Sequence, residues 1–498
     1  MTAVMKAPTS EQQAIADAYR AGDGLVIEAG AGTGKTSTLR MLAAAVPARR
    51  GIYVAYNKAI AAEAQRSFPA GVTCATAHSL AFRAVGRQFA RRLNGPRMPA
   101  RETARILGIN EPISIGGGKN LAPEQVARLA GDTVTRYCYS DAAEIGPRHV
   151  PIRPGLDDPG DLAVLRQVIP PLADKAWADL THPDGRLKFS HDHYLKMWQL
   201  SGPQLPADYV MLDEAQDANP VVAAIVTAQG HCQQVLVGDR CQAIYGWRGA
   251  VDAMSSFAGT RLALSQSFRF GQAIADEANK WLTLLDAPLR LSGYERISSA
   301  VGPAMAADAV LCRSNAEAVA QVMAAHDQGR RAAMAGGGDA IRRLAEAAIT
   351  LKAGAGTGHP ELFVFRTWGE VQDYAEQDSA GSDLRTFVRL IDKHGPDVVI
   401  HVIDSLVPEE RADVVVSTAH KAKGLEWDSV RIATDFKQPA NKNGVGSARA
   451  AAGKPEMPRE TAMLAYVAVT RARLVLDHEG LAWVDDWLNP TTPAGVPR

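Results

Sequence analysis

The chain of 498 residues lacks several features by which a function is often recognised. It has no net charge, because 54 basic residues balance 54 acidic ones, so bulk electrostatics favours neither a nucleic acid nor a membrane as partner. Its five cysteines, Cys74, Cys138, Cys232, Cys241 and Cys312, have no CxxC spacing, which argues against a zinc site and for a reducing, cytoplasmic location. No apolar run is long enough to cross a bilayer, and the first residues lack the apolar part of a secretory signal, so we expect no membrane partner.

The order of apolar segments predicts an α/β protein with an insertion. Short apolar strands at residues 25–29, 52–56 and 72–76 alternate with helical segments, a pattern typical of parallel sheets. Residues 83–200 lose this alternation and are helical, with proline- and glycine-rich interruptions. Strand patterns return at residues 209–212 and 234–237. A second α/β block has strands at residues 309–313, 414–418 and 429–433.

The segment AGAGTGKT, residues 29–36, lies between a predicted strand and a predicted helix, as a P-loop does. Three glycines at alternate positions allow the backbone N–H groups to turn towards a phosphate. Lys35 would reach the β- and γ-phosphates, and the Thr36 hydroxyl would bind Mg²⁺. The alternative is a glycine-rich turn that only packs. From the P-loop pattern we expect ATP and Mg²⁺ as cofactors.

The segment YVMLDEAQD, residues 209–217, is a buried strand that leads into carboxylates at its C-terminal end. In α/β proteins this edge of the sheet carries the site. Asp213 would complete the Mg²⁺ site with Thr36, and Glu214 would orient and deprotonate the attacking water. A solvated acidic helix start is the alternative.

The loop GDRCQAIYGWRGA, residues 238–250, combines an amide with aromatic and cationic side chains. Gln242 is a candidate sensor of the γ-phosphate. Tyr245, Trp247 and Arg248 could present flat rings and a cation to an unpaired nucleic acid strand, because stacking tolerates any base. The alternative is that both aromatics belong to the core.

A basic stretch stands out despite the zero net charge. Such a stretch can follow a phosphate backbone with salt-dependent affinity, although a solvated helical face is the alternative. Residues 82–105 hold seven arginines against one acidic residue, Glu102: Arg83, Arg87, Arg91, Arg92, Arg97, Arg101 and Arg105.

These segments, with others, stand in the order found in superfamily 1 helicases of the UvrD/Rep type, which the chain resembles over nearly its whole length. The further motifs are SEQQ with Gln12, YVAYNKA with Tyr56, TAHSLA at residues 76–81, LSQSFR at 264–269, STAHKAKGLEWDSV at 417–430 and AYVAVTRAR at 465–473. DHYLKMWQL, residues 192–200, is similar to the F-box DNA helicase branch of the family.

The resemblance implies roles for individual residues. Arg269 and Arg471 would act as arginine fingers on the γ-phosphate, and Glu426 would bind the ribose. The remaining nucleotide-binding residues would be Gln12, Ala29, Gly30, Ala31, Gly32, Thr33, Gly34, Lys35, Thr36, Ser37 and Phe268. The residues that contact DNA would be Tyr56, Asn57, Lys58, Thr76, His78, Tyr245, Trp247, Arg248 and His420. Lys423 would contact the DNA backbone or link motifs.

The resemblance also implies an architecture: two RecA-like P-loop NTPase domains with parallel sheets and flanking helices. Domain 1A would comprise residues 1–82 and 201–275, interrupted by a mostly helical 1B-type insertion at 83–200. Domain 2A would comprise residues 276–498, with a reduced 2B region. Phe268 stands where the family commonly has tyrosine, so a hydroxyl is lost there. We expect no F-box before the first motif and no nuclease after the last.

The implied function is an ATP-dependent DNA helicase or translocase that moves 3′ to 5′ on single-stranded DNA, in repair, recombination control or phage replication. Its partners would be single-stranded DNA and junctions of single strand with duplex, and the free protein would be a monomer. One alternative is a translocase that removes proteins from DNA without unwinding it. Another is a nucleotide-gated DNA-binding scaffold with little turnover.

Overall fold

The computed structural model describes residues 7–93, 95, 98–116, 119–244, 252–377, 382–439 and 457–489. Each half of the chain forms a six-stranded sheet in which every neighbouring pair of strands is parallel. This arrangement confirms the α/β prediction. We call the sheet-bearing halves lobe 1 and lobe 2. Among the described residues no helix is both long and apolar enough to cross a membrane.

The sheet of lobe 1 has the strand order β3-β2-β6-β7-β1-β8. Its strands are almost wholly buried, except for the edge strand β8, and therefore read as continuous apolar runs. They are β1 (Leu25–Ala29), β2 (Gly51–Ala55), β3 (Val72–Thr76), β6 (Tyr209–Leu212), β7 (Gln233–Gly238) and β8 (Thr260–Leu264).

The helices of lobe 1 connect these strands and flank the sheet. Each of α1, α3 and α4 begins at a threonine or asparagine whose side chain accepts a hydrogen bond from the first turn, as helix N-caps do. The helices are α1 (Ser10–Ala21), α2 (Lys35–Ala44), α3 (Lys58–Ser67), α4 (Ala77–Ala84), α10 (Pro220–Thr227) and α11 (Ala253–Ser256).

The segment between β3 and β6 is largely helical, as predicted, and packs on lobe 1. Its apolar side chains join those of β2, β6 and β7 in one hydrophobic cluster. Its elements are α5 (Ala90–Leu93), α6 (Ala100–Leu107), a small hairpin of β4 (Ile113–Ser114) and β5 (Asn120–Leu121), α7 (Pro123–Cys138), α8 (Pro159–Thr181) and α9 (His191–Leu200). We call this segment the insertion.

The sheet of lobe 2 has the order β11-β12-β10-β13-β14-β9. Its strands are β9 (Ala300–Val301), β10 (Ala309–Cys312), β11 (Ala332–Met334), β12 (Val414–Thr418), β13 (Trp427–Ile432) and β14 (Ala472–Asp477). Its helices are α12 (Gln272–Leu284), α13 (Asn315–Asp327), α14 (Asp339–Lys352), α15 (Trp368–Gln377), α16 (Ser382–His394), α17 (Pro396–Asp404), α18 (Arg459–Val469) and α19 (Val484–Leu488).

Helices α14 to α17 form a compact group between β11 and β12, where the sequence predicts a reduced 2B region. Their apolar side chains share a cluster with α13 and with β10 to β12. Helix α15 and the chain before it also reach the insertion, because Tyr374 Oη of α15 donates to Asp157 at 3.2 Å and Arg128 Nη1 donates to the Gly358 carbonyl at 2.5 Å. Both sheets therefore connect to the insertion, lobe 1 directly and lobe 2 through this group.

Candidate functional site

The P-loop forms a cradle at the C-terminal end of β1. Gly32 and Gly34 have φ values of +72° and +78°, a conformation that favours glycine. A Cβ on Gly32 would lie 2.6 Å from Ser267 Oγ and from Arg269 Cβ, so this position has room for glycine alone. No side chain caps the N-terminus of α2, which leaves its first N–H groups available to a phosphate.

Two carboxylates at the end of β6 face this cradle. Asp213 accepts hydrogen bonds from Thr36 Oγ1 at 3.0 Å and from the Tyr53 hydroxyl at 2.6 Å. Hydroxyl and carboxylate oxygens are the ligands that Mg²⁺ prefers, so Thr36 and Asp213 fit the predicted metal site. Burial, followed by the neighbouring Glu214, raises the pKa of Asp213. Mg²⁺ usually takes its remaining ligands from water and substrate phosphate.

Glu214 occupies the left-handed region with φ +51°, an uncommon conformation for a residue other than glycine. Its carboxylate lies 3.3 Å from Lys35 Nζ and accepts a hydrogen bond from Gln216 Nε2 at 2.6 Å. Burial alone would raise the pKa of Glu214, but the ammonium groups of Lys35 and Lys423 outweigh it and lower the pKa. Glu214 is therefore an anion at neutral pH and can accept a hydrogen bond from water.

Gln12 and Phe268 meet beside the P-loop, as expected for a base-binding pair. A Cβ on Gly34 would lie 3.6 Å from the Phe268 ring and 3.9 Å from Gln12 Nε2. The Phe268 N–H donates to the Gly32 carbonyl at 2.8 Å, and Gln12 Nε2 donates to Thr38 at 3.1 Å. These two predicted nucleotide-binding residues thus come from distant parts of the chain to one edge of the cradle.

The predicted sensor Gln242 has both ends of its amide engaged. Its Nε2 donates to Asp239 Oδ2 at 2.7 Å, and its Oε1 accepts from Arg471 Nη2 at 3.3 Å. Arg471 is 2% exposed, and burial, followed by the nearby Arg269, lowers its pKa to about 9. Gln242 therefore lies between a buried carboxylate of lobe 1 and a buried guanidinium of lobe 2.

Arg269 and Glu426, predicted to bind different parts of the nucleotide, pair with each other in this structure. Arg269 Nε donates to Glu426 Oε2 at 2.6 Å, and its Nη1 donates to the Thr470 carbonyl at 3.0 Å. Glu426, the predicted ribose ligand, is also 3.9 Å from Arg473 Nε. In this structure Glu426 is thus a counter-ion that holds Arg269 against lobe 2, and a ribose contact would compete with that pair.

The structure adds Tyr466, a site residue that the sequence did not indicate, and shows the contacts of Lys423, for which the resemblance implied a DNA contact or a link between motifs. The Tyr466 hydroxyl accepts from the Ala31 N–H at 3.2 Å and donates to Asp239 Oδ2 at 3.0 Å, so a helix of lobe 2 contacts the P-loop directly. Lys423 Nζ donates to Asp217 Oδ2 and to the Gln242 carbonyl. Both sets of contacts join residues from opposite lobes, and in this structure Lys423 links its own motif to those of Asp217 and Gln242.

The predicted DNA-contacting residues of lobe 1 divide into two groups. Tyr56 is 50% exposed, and Asn57 and Lys58 follow it on the surface. Thr76, in contrast, is buried and its side chain caps α4. His78 Nε2 lies 2.9 Å from Asp192 of the insertion, so it joins two parts of the chain.

The remaining predicted contacts are only partly described. His420 is half-buried at the end of β12. Tyr245, Trp247 and Arg248 lie outside the described residues, so their stacking role stays a prediction.

The basic stretch is not a uniform phosphate-binding surface. Arg92 uses Nη1 and Nη2 to bind backbone carbonyls, including those of Leu180 and Leu187 at 3.0 Å each, so its role is structural. Arg105 pairs with Glu102 at 2.6 Å. Arg97 lies outside the described residues. Arg92 therefore fits neither a phosphate-binding surface nor a solvated helical face, because its guanidinium is already used in packing the insertion.

Two cavities adjoin this site. One of about 260 Å³ is lined by Thr36, Tyr56 and Asp213 among others. The second, of about 1070 Å³, runs from the ends of β2, β3 and β6 to the insertion. Tyr56, Asp213 and Glu214 line both cavities, so the two cavities are adjacent at the C-terminal ends of β2 and β6.

The fold and the site define a class of protein: a P-loop protein of two lobes, in which the second lobe contributes arginine to the site on the first. Residues 11–248 match the AAA domain family, and residues 369–477 match the UvrD-like helicase C-terminal domain. The chain is 28% identical over 531 residues to F-box DNA helicase protein 1 of Schizosaccharomyces pombe, covering 95% of this chain and 57% of that protein. It is 31% identical over 507 residues to F-box DNA helicase 1 of Gallus gallus, covering 94% and 48%.

The chain belongs to the UvrD-like family of superfamily 1 helicases. The family matches confirm the resemblance that the sequence motifs indicated, and together with the two parallel sheets they confirm the predicted RecA-like lobes. The chain spans about half the length of the curated relatives it matches.

Proposed function

We propose that this chain hydrolyses ATP between its two lobes and uses the cycle to move 3′ to 5′ along single-stranded DNA, separating duplex ahead of it. The observation that carries the proposal is the position of the two arginines. Arg471 of lobe 2 hydrogen bonds Gln242 of lobe 1, and Arg269 lies against Gly32 of the P-loop. A triphosphate on the P-loop would thus lie between groups from both lobes.

The chemistry follows from the described side chains. Thr36 and Asp213 would hold Mg²⁺, which neutralises phosphate charge when bound. Glu214, ionised at neutral pH, would orient the attacking water, and Lys35 would move from Glu214 to the phosphates. The buried guanidinium of Arg471 would stabilise the charge that develops on the transferred group.

Coupling to DNA would come from contacts that depend on lobe closure. Lys423 and Tyr466 bind lobe 1 only while the lobes are together. Hydrolysis would remove the phosphate that draws both arginines to the P-loop and so favour opening of the cleft. Exposed side chains on lobe 1, such as Tyr56, would then change their grip on a base.

The test is strand displacement on duplexes with a 3′ or a 5′ single-stranded tail. We expect ATP-dependent displacement from the 3′-tailed substrate alone, and none by Glu214→Gln, which keeps the shape of the side chain but removes its charge. Equal displacement from both substrates would refute the polarity. ATP hydrolysis that removes a protein block without separating strands would favour the translocase. DNA binding without hydrolysis would favour the scaffold.

A further inference from the structure

Gln216 is a buried glutamine beside the carboxylate that would orient the attacking water. It lies in the short turn Ala215–Asp217 that follows β6, and it is 1% exposed. No step of the proposed hydrolysis uses its side chain. A glutamine amide has N–H donors at one end and an acceptor oxygen at the other, and both ends need partners once they are removed from water.

The orientation of the Gln216 amide is fixed by the backbone at the end of β7. The N–H of Asp239 donates to Gln216 Oε1 at 3.0 Å, and a backbone N–H can only donate, so the oxygen must face it. Gly238 allows this close approach, because a Cβ there would overlap Gln216 Oε1 and would lie 2.8 Å from Met254 Sδ. The nitrogen of the amide is therefore left to face the carboxylates of its own turn.

Both donors of this nitrogen are used by carboxylates. Gln216 Nε2 donates to Glu214 Oε2 at 2.6 Å and to Asp217 Oδ2 at 3.0 Å. The amide has no further N–H for a water or a phosphate, so Gln216 can act on hydrolysis only through these partners. Because Gln216 holds Oε2 of Glu214, the other oxygen, Oε1, faces Lys35 Nζ at 3.3 Å and would be the one that accepts from a water once the lysine binds phosphate.

The same amide connects Glu214 to lobe 2. Asp217 Oδ2 also accepts from Lys423 Nζ, and that ammonium group donates to the Gln242 carbonyl as well. A continuous chain of hydrogen bonds therefore runs from Glu214 through the amide to a lysine of lobe 2. Hydrogen bonds in such a chain strengthen one another. The hold on the Glu214 carboxylate is therefore complete only while the lobes are together.

We infer that Gln216 is a positioning residue for ATP hydrolysis, whose amide orients the Glu214 carboxylate towards the attacking water and links that orientation to the contact of Lys423 with lobe 1. The inference rests on the proposed function. Since misplacement of a reacting group by an ångström can cost a large part of the rate, the effect of Gln216 should fall on the chemical step. None of its hydrogen bonds within the described part of the chain goes to the P-loop, so ATP binding should not depend on it.

The experiment measures single-turnover ATP hydrolysis by the full chain and, separately, the Kd of a fluorescent ATP analogue. Gln216→Met keeps the length of the side chain and removes its three hydrogen bonds. We expect the rate to fall about 10- to 100-fold, the range for a hydrogen bond to a charged group, while the Kd changes by less than about twofold. In the Glu214→Gln background, which lacks the carboxylate, the same substitution should change the residual rate by less than about twofold.

The link to lobe 2 is tested with Lys423→Met, which removes the ammonium group from Asp217. We expect this variant to lower the rate about tenfold in the otherwise wild-type chain. In the Gln216→Met background it should lower the rate by less than a further factor of about two, because the path from the lysine to Glu214 runs through the amide. Losses that multiply in the double variant would show that Lys423 acts by another route and would overturn the link.

The matched control is Gln229→Met, a second buried glutamine of lobe 1. Gln229 is also 1% exposed, accepts from the Leu205 N–H at 2.8 Å, and donates to the carbonyls of Ile225 at 2.7 Å and Pro203 at 2.8 Å. Its substitution removes as many hydrogen bonds but none to a carboxylate, so the rate per folded molecule should stay within about twofold. A thermal melt of each variant measures the folded fraction.

An unchanged rate in Gln216→Met would overturn the inference. An equal fall in Gln229→Met, or an equal fall in the Glu214→Gln background, would also overturn it. If Gln216→Met does not fold, Gln216→Glu takes its place, since it keeps an oxygen for the Asp239 N–H and removes the donors to both carboxylates; an unchanged rate there would have the same consequence. Absence of ATP hydrolysis by the wild-type chain would refute the proposed function instead.

Discussion

Each lobe contains a strand that leads through a turn into a helix, and these two units can be compared directly. In lobe 1, β1 leads through the P-loop to α2, whose N-terminus no side chain caps. In lobe 2, β10 leads to α13, and the turn between them is filled from within. Asp435 accepts from the backbone N–H of Arg313 at 3.0 Å and of Ser314 at 2.9 Å. The Ser314 hydroxyl also caps the helix by accepting from the Glu317 N–H at 3.1 Å.

The difference shows how similar folds take on different tasks. A helix N-terminus attracts an anion in both lobes. Lobe 2 satisfies this preference with its own carboxylate, whereas lobe 1 leaves it to a ligand. Lobe 2 instead contributes groups from other elements, such as Arg471 after α18 and Lys423 after β12, and these reach across to lobe 1.

The largest effect should come from the P-loop lysine. We expect Lys35→Ala to lower the rate of ATP hydrolysis by at least about 1000-fold, because it removes the cation that faces the phosphates. The matched change in lobe 2 is Ser314→Ala, which should cost about 1 kcal/mol of stability and leave hydrolysis per folded molecule within about twofold. Steady-state ATPase assays and thermal melts measure the two effects. Equal losses of activity in Lys35→Ala and Ser314→Ala would contradict the comparison between the lobes.

The next effect should come from the arginine that lobe 2 supplies. Arg471→Ala should lower kcat by about 1000-fold, the scale on which arginine fingers act, while KM for ATP changes by less than about threefold. The prediction assumes that Arg471 acts mainly on the transition state. A variant whose KM rises with kcat unchanged would show that Arg471 contributes to ground-state binding only.

The hydroxyl of Tyr466 should have a smaller effect. Tyr466→Phe removes hydrogen bonds to Asp239 and to the Ala31 N–H, which link α18 to the P-loop. A loss of about 1.4 kcal/mol corresponds to about a tenfold lower kcat. The control is Tyr209→Phe, since the buried Tyr209 hydroxyl has no hydrogen-bond partner within the described part of the chain. Comparable losses in both variants would assign the effect to packing.

The smallest effect should be a change in thermal stability with pH. Burial raises the pKa of Asp217 to about 6, against the opposing influence of Lys423. Because an unfolded aspartate has a pKa of about 3.9, the folded state binds the proton more tightly, and this contribution to stability is lost as the pH rises through about 6. Relative to the wild type, the melting temperature of Asp217→Asn should therefore rise between pH 4 and pH 7. A difference that stays constant over this range would contradict the assignment.

The sequence predicted the parts of the site that depend on local order. Strand β1 and the start of α2 at Lys35 lie where the apolar pattern and the glycines place them. The pairing of Thr36 with Asp213 follows because β1 and β6, on either side of β7, are parallel strands whose C-terminal ends lie at one edge of the sheet. Family resemblance added Gln12 and Phe268, whose proximity no local pattern could indicate.

The contacts between lobes could not be predicted in the same way. Tyr466 and Ala31 are 435 residues apart in the chain, and nothing in the helical pattern of α18 distinguishes a tyrosine that packs from one that reaches a P-loop amide. The pairing of Glu426 with Arg269 likewise depends on how the lobes meet.

The central claim is that hydrolysis between the lobes is coupled to a bound strand. The most direct measurement is the rate of ATP hydrolysis by the wild-type chain with and without an oligo-dT, at saturating ATP and Mg²⁺. Our account predicts that the oligonucleotide increases kcat by at least about tenfold, as expected if strand binding lowers the barrier by about 1.4 kcal/mol or more. An equal rate with and without the oligonucleotide would contradict it.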